Sequence, residues 1–335
     1  MHKVQSTPAP LSLLALFPPS KRYLIGVSGG RDSVALFHRL CAEGYRRLIV
    51  CHLDHRLRGR TGKTDARFVA RLAAGAGLIC ELGETDVQAL AREAKQSIET
   101  AGRAARYQFF AKVARRRRCH VIFLAHHADD LVETFLMNLF RGAATSGLRG
   151  ISPVSVHTVA ETKLQVVRPL LETTRAEIDS YIRQRALRYR EDASNQDLAP
   201  LRNRIRRRII PYIEKQMGRK VRTSVWRAAI VAAAEDACLK ELLDREHPVA
   251  DELEVARLRP LSLALQRRIL HRWLQSHAIP DLDFELIERL RALLDPSTTH
   301  ARINLPRAAH ACRRAGKIFV ERSGADRPVP DKLNR

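Results

Sequence analysis

Between an apolar run and an amphipathic stretch, Ser28-Gly29-Gly30-Arg31-Asp32-Ser33 gathers residue types suited to holding a pyrophosphate. Glycines at 29 and 30 remove the β-carbons that would keep an anion from the backbone, and the hydroxyls of Ser28 and Ser33 can donate. The helix expected from residue 32 adds unpaired N–H groups at its positive end. Asp32 cannot bind phosphate directly at neutral pH; the task that suits it is holding Mg²⁺, which bridges to phosphate oxygens. Two glycines alone would fit an ordinary βα turn, but both serines and the aspartate in register favour the phosphate cradle.

A second constellation, His126-His127-Ala128-Asp129-Asp130-Leu131-Val132-Glu133-Thr134, follows another apolar run. At helical spacing His126, Asp130 and Glu133 share a face, while Asp129 reads as the cap of the helix, its acid near the positive end. Capping does not account for two histidines and three acids together. A transition-metal site is the weaker reading, since no cysteine or third histidine stands at ligand spacing. Gly62-Lys63-Thr64 resembles the end of a Walker A loop, but Leu57 stands where the leading glycine should be, so it reads as a solvated basic loop.

The elements that must position these residues alternate. Apolar runs at 22–27, 47–53, 78–82 and 120–125 read as buried parallel strands, each followed by an amphipathic helix at 32–43, 62–76, 87–116 and 129–141. The third helix should break near Gln96 and Ser97. Val166–Leu170 reads as an added edge strand and 173–186 as a helix. This is an open, doubly wound parallel α/β sheet. Helices at 221–245, 262–276 and 283–294, with a small hairpin from 301–304 and 317–321, form a smaller, mainly helical domain. The expected organisation is an extension at 1–20, the α/β domain at 21–215, the second domain at 216–322, and a disordered tail at 323–335. A turn is expected at Pro296–Thr299.

The 335 residues are 45% hydrophobic, enough for a packed core, and carry a net charge of +23. That field implies a polyanionic partner, nucleic acid first. Arginine makes up 48 of the 59 cationic side chains, and guanidinium forks suit phosphate and base edges, although a GC-rich genome gives the same bias. The six cysteines are scattered without C-x-x-C spacing and read as reduced, mostly core residues. Leu11–Phe17 is too short for a signal peptide and ends in Pro18-Pro19. With no stretch long enough to span a bilayer, the expected location is cytoplasmic, without a membrane partner.

Several motifs, in order from about 22 to 215, resemble those of the tRNA(Ile)-lysidine synthetases, members of the PP-loop (N-type ATP pyrophosphatase) superfamily. They are the loop at 28–33, His52-Leu53-Asp54-His55-Arg56-Leu57-Arg58, Ala104-Ala105-Arg106-Tyr107-Gln108-Phe109-Phe110, and the block from His126 to Ala143. Arg168-Pro169-Leu170-Leu171, Glu191-Asp192-Ala193-Ser194-Asn195 and Arg202-Asn203-Arg204-Ile205-Arg206 complete the set. Two departures are visible: Arg56 stands where glycine is common, and Asp65 where the following helix often carries Glu.

The resemblance implies an ATP-dependent ligase acting on a tRNA(Ile) with a CAU anticodon. The wobble cytosine O2 attacks the α-phosphorus of ATP and pyrophosphate leaves. The ε-amino group of free L-lysine then attacks C2 and expels AMP, and the lysidine formed changes reading from AUG to AUA. It implies that Ser28, Gly29, Gly30, Arg31, Asp32 and Ser33 bind ATP phosphates with Asp32 on Mg²⁺, and that His52, Asp54 and His55 contact adenine or ribose. Asp130 and Glu133 would hold the lysine ammonium, one of them taking its proton, with His126 in the site. Arg106 would orient the lysine carboxylate or the adenylate phosphate, though on spacing alone it is equally a surface arginine. Arg202, Arg204, Arg206, Arg207 and Arg208 would meet tRNA phosphates, whereas Arg115–Arg118 read as a solvated helix end. A homodimer is left open. The rival readings are a PP-loop tRNA thiolase, which would generally need cysteine pairs or an iron–sulfur cluster, and a non-catalytic RNA-binding protein, which would leave the loop unexplained.

Overall fold

The computed structural model describes residues 10–57, 59–143, 145–191, 201–295, 297 and 301–322. Apolar runs become strands β1 (Tyr23–Gly26), β2 (Leu48–Asp54), β3 (Ile79–Glu84), β4 (Val121–Phe123), β5 (Val154–Val159) and β6 (Thr162–Val167). They lie in the order β3-β2-β1-β4-β6-β5, parallel except for β5, which runs antiparallel to β6. Helices α1 (Pro10–Ala15), α2 (Arg31–Ala42), α3 (Arg60–Gly75), α4 (Val87–Glu93), α5 (Ile98–Arg117), α6 (Ala128–Phe140), α7 (Thr145–Leu148) and α8 (Arg175–Gln184) alternate with them. Side chains of β1 serve both faces: Tyr23 and Ile25 pack with Val34 and Leu40 of α2 and Ile178 of α8, and Leu24 packs with Phe110 and Val113 of α5. Because β2 and β4 flank β1 on opposite sides, the loops after β1 and β4 border one crevice at the carboxyl ends of the strands.

Ser97 breaks the third helical region as expected, its Oγ accepting the Thr100 N–H at 3.1 Å. Other expectations need correction. The strand expected at 166–170 is β6 at 162–167, and it lies inside the sheet; the edge is β5. Val154, Val156 and Thr158 alternate with Ser155, His157 and Val159, but the connecting turn is Ala160-Glu161, both at positive φ (44° and 63°), without the Asn-Gly signal that announces such hairpins. Gly62-Lys63-Thr64 lies in the first turns of α3, not in a loop, and a β-carbon at Gly62 would collide with the Asp54 carboxylate. Of the four arginines ending α5, Arg116 and Arg117 pair with the buried Glu81 of β3, the latter at 2.5 Å, so that helix end is not simply solvated. Leu13, Leu14 and Phe17 are buried with Tyr23, Tyr45 and Phe123, so residues 13–17 join the core.

After α8 come α9 (Leu201–Arg204), a π-helical turn (Ile205–Ile209), α10 (Ile210–Met217) and α11 (Arg222–Glu246). The chain divides into two compact units at Ala234/Glu235, inside α11. Val225, Trp226, Ala229 and Ile230 of α11 pack with Leu131 and Phe135 of α6, which keeps the start of that helix in the first unit.

The second unit contains β7 (Leu253–Glu254), α12 (Val255–Leu258), α13 (Leu263–Ser276), α14 (Phe284–Ala292), β8 (Arg302–Leu305), β9 (Ala309–Arg314) and β10 (Lys317–Arg322). Its strands form an antiparallel sheet in the order β7-β10-β9-β8 around Leu270, Trp273, Leu290 and Ile318. The segments 301–304 and 317–321 therefore do not pair with each other, because β9 lies between them. Its sequence, Ala-His-Ala-Cys-Arg-Arg, has little strand propensity, and only its neighbours on both sides make it a strand. The turn at 296–299 apart from Ser297, the tail from Ser323, Arg58 and the stretch Asp192–Asn195 lie outside the described residues. No helix among the described residues is long and apolar enough to cross a membrane.

Candidate active site

The loop between β1 and α2 is held by its own hydroxyls. Ser33 Oγ donates to the Gly30 carbonyl at 2.9 Å and accepts the Ser28 N–H at 3.2 Å, while Ser28 Oγ accepts the Gly30 N–H at 3.2 Å. Gly29 sits at φ +88°, where a side chain would be strained. The loop is also fixed from outside: the Arg190 N–H donates to the Gly29 carbonyl at 2.9 Å, and Arg190 Nε donates to Asp65 Oδ1 on α3 at 2.9 Å. Arg31 turns toward α8, pairing with Asp179 at 2.7 Å, its guanidinium 5.0 Å from the centre of the Tyr189 ring. Asp65 thus forms the outer end of a strap on the loop. Replacing Asp65 with Ala should raise the KM for ATP about tenfold at nearly constant kcat, the scale of one charged hydrogen bond, and Asp65→Glu should restore it. ATP–pyrophosphate exchange measures both values, and an unchanged KM in Asp65→Ala would remove the strap from ATP binding.

Asp32, in the first turn of α2, accepts from Arg175 Nη1 at 2.8 Å and lies 3.7 Å from His127 Nε2. Burial raises its carboxyl above the ordinary aspartate value against the opposing pull of His127 and Arg175. Among the described residues no group of three His, Cys, Asp or Glu side chains is arranged to hold a metal ion. A carboxylate beside a glycine cradle suits Mg²⁺, which takes one or two carboxylates and completes its shell with phosphate and water.

After β4, His127 lies among the acidic side chains, next to the His126 expected in the site. His127 is the N-cap of α6, only 1% exposed, with both ring nitrogens lacking a hydrogen-bond partner. Carboxylates of Asp32, Asp129 and Asp130 surround it at 3.5–3.8 Å. His126 is also enclosed, and burial pushes its pKa down to about 3, so it is neutral at physiological pH. Asp129 is not the cap: its Oδ2 accepts the Arg175 N–H at 2.9 Å and its Oδ1 accepts from Arg222 at 2.9 Å. Asp130, at the third helical position, accepts the His127 N–H at 2.9 Å and so supplies one half of a capping box.

Asp130 and Glu133 are joined to two of the arginines expected to face tRNA. Arg202 donates to Asp130 Oδ1 and Glu133 Oε2, each at 2.8 Å; Arg206 reaches Glu133 Oε1 at 2.5 Å and Asp130 Oδ1 at 3.2 Å. Glu133 is fully buried. Burial alone would raise the Asp130 pKa, but His127 and Arg202 beside it hold it at about 2. Here the two carboxylates bind guanidinium groups, so a lysine ammonium would have to displace one. Arg202 and Arg206 accordingly point inward, whereas Arg204, Arg207 and Arg208 are exposed.

On the other side of the crevice, His52 Nδ1 lies 2.9 Å from the Val27 carbonyl, bracing the strand that enters the loop, and its Nε2 has no partner. Asp54 accepts the Arg56 N–H at 2.9 Å, so at least one of its oxygens is committed to the backbone. Arg106 is half-buried, not an exposed surface arginine; burial and then Arg103 lower its pKa. Burial and then Arg106 push the His55 pKa down to about 4. Arg56 adopts φ +56°, which explains why glycine is common there. Arg56→Gly should therefore stabilise the protein by about 0.5–1 kcal/mol, the left-handed penalty less the added freedom of the unfolded chain. Urea unfolding measures it, and a destabilised variant would show that the conformation carries no penalty.

Sequence reasoning missed Arg175, Arg222, Asp65 and Arg190 as neighbours of the site. All reach it from elements distant in sequence, and no local spacing marks them.

A glycine loop at a helix N-terminus, at the switch point of a parallel sheet and beside a buried acidic cluster, defines a nucleotide-binding α/β domain of the PP-loop class. Residues 5–213 match the PP-loop domain family and residues 253–319 the TilS substrate binding domain family. A tRNA(Ile)-lysidine synthase of Geobacter sulfurreducens is 35% identical over 95% of this chain and 69% of its own length. That of Chlorobaculum tepidum is 35% identical over 81% of this chain and 82% of its own. The chain belongs to the tRNA(Ile)-lysidine synthase family. Among solved structures, a U34-tRNA thiolase of Methanococcus maripaludis with its [4Fe–4S] cluster matches the fold with a TM-score of 0.51 at 17% identity, covering 66% of this chain and 76% of that one.

Proposed function

We infer that the protein ligates free L-lysine to C2 of the wobble cytidine of tRNA(Ile) with a CAU anticodon, consuming ATP and releasing AMP and pyrophosphate. The observation that carries this reading is the pairing of the glycine loop with the buried Asp130–Glu133 carboxylates across one crevice, in a chain whose relatives along nearly its whole length are named for that tRNA. The relatives favour it over the thiolase reading, since the likeness to the thiolase is one of fold alone.

The loop N–H groups and the N-terminus of α2 bind and orient the phosphates of ATP. Asp32 would hold Mg²⁺, which when bound offsets the charge of the departing pyrophosphate. Asp130 and Glu133 receive the cationic end of lysine in place of a guanidinium, and a carboxylate there takes the ε-ammonium proton so that the amine can attack. Arg106, with Arg103 beside it, suits the lysine carboxylate or the adenylate phosphate. His52 and Asp54 border the adenine and ribose side, and the exposed Arg204, Arg207 and Arg208 suit tRNA phosphates. The reaction belongs in the cytoplasm, with ATP and tRNA. Mass spectrometry of nucleosides from tRNA incubated with the protein, Mg–ATP and lysine tests the reading: lysidine supports it, and a thiolated nucleoside formed with a sulfur donor but not with lysine overturns it.

A further inference from the structure

The helical segment 201–217 has two unlike faces. Positions four apart, Arg202, Arg206 and Ile210, turn inward to the carboxylates and the core. The opposite set, Arg204, Arg208, Tyr212 and Lys215, is exposed. Tyr212 is 65% exposed, a large aromatic ring left in water between Arg208 and Lys215. The acid of this segment, Glu214, is turned aside and accepts the Val221 N–H at 3.1 Å. A cationic helix face with an aromatic ring at its centre is complementary to a flexible polyanion that offers flat bases, and the chain's charge of +23 points the same way.

We propose that this face binds an unpaired stretch of the substrate RNA, with Tyr212 stacking on one base and Arg204, Arg208 and Lys215 meeting the flanking phosphates. The proposal rests on the reading that the substrate is a tRNA. Stacking accepts any base but requires it to be unstacked from its neighbours, so the contact selects loop over stem.

The test is equilibrium binding of a tRNA(Ile) CAU transcript to the full chain, without ATP or lysine, over a range of salt. Tyr212→Ala should weaken binding about tenfold with the salt slope unchanged, and Tyr212→Phe should stay within about twofold of wild type. Arg208→Gln and Lys215→Gln should each reduce the salt slope by roughly one. A fully paired RNA duplex should bind wild type and Tyr212→Ala alike. Wild-type affinity in Tyr212→Ala would overturn the proposal and leave the face to solvent or an acidic protein; equal losses on transcript and duplex would overturn the stacking role. A wild-type chain that binds the transcript but forms no lysidine would defeat the ligase reading and leave this contact standing.

Discussion

Asp32→Ala should reduce ATP-dependent adenylation by about 10²–10³, a loss of ~3–4 kcal/mol in transition-state stabilisation, the scale of removing a principal electrostatic group. The side chain accepts from Arg175 and lies near His127, and it is partly open to solvent, so its packing role is small. Thermal unfolding should shift by only a few degrees, since Arg175 is itself partly exposed and regains water when its partner is removed. Pyrophosphate exchange with tRNA and saturating Mg²⁺ measures the loss. Near-normal turnover in Asp32→Ala would remove the residue from phosphate and metal binding and leave it as a partner of Arg175.

Glu133→Ala should strongly destabilise the first unit. It removes the fully buried carboxylate that holds two guanidinium groups at 2.5–3.0 Å and leaves them to Asp130 alone, and breaking a buried pair from one side costs up to about 3–5 kcal/mol. At about 2–4 °C per kcal/mol for a unit of this size, that is a fall of roughly 6–20 °C in Tm. Glu133→Gln keeps the shape and loses the charge, so it should fold better while raising the lysine requirement more than the ATP requirement. Equal increases in both would place Glu133 in the framework of the site and not in lysine binding. The same cluster gives the acid limb of stability a definite sign. Asp130 titrates lower in the folded protein than in the unfolded chain, so its contribution is full above about pH 4 and is lost as the pH falls toward 2.

Much of the fold could be read from local pattern, because the central strands β1, β2 and β4 bury both faces and the longer helices packed on them bury one. The runs that become β1 to β4 and the Ser97 break lie close to where periodicity and capping chemistry put them. What escaped was set by partners distant in sequence. β5 closes the sheet through a turn of Ala160 and Glu161, and β9 is a strand only because β8 and β10 flank it. After β4, spacing put the cap of the helix at Asp129, whereas it is His127, two residues earlier, because packing rather than local pattern sets where a helix starts.

The sequence by itself determined the chemistry on offer: a loop with two glycines and two serines that can cradle phosphate, a carboxylate in the next helical turn, an acidic block after a strand, and a strong positive charge. Those are properties of neighbours in the chain, which covalent spacing and helix periodicity fix. Tertiary structure decided the pairing of charges. It alone sent Arg202 and Arg206 inward to Asp130 and Glu133 while leaving Arg204, Arg208 and Tyr212 in water, and it alone tied Gly29 to Arg190 and Asp65. The physical reason is that a buried carboxylate must find a cation, and which of many arginines it finds depends on how helices far apart in sequence pack, not on the order in which they occur.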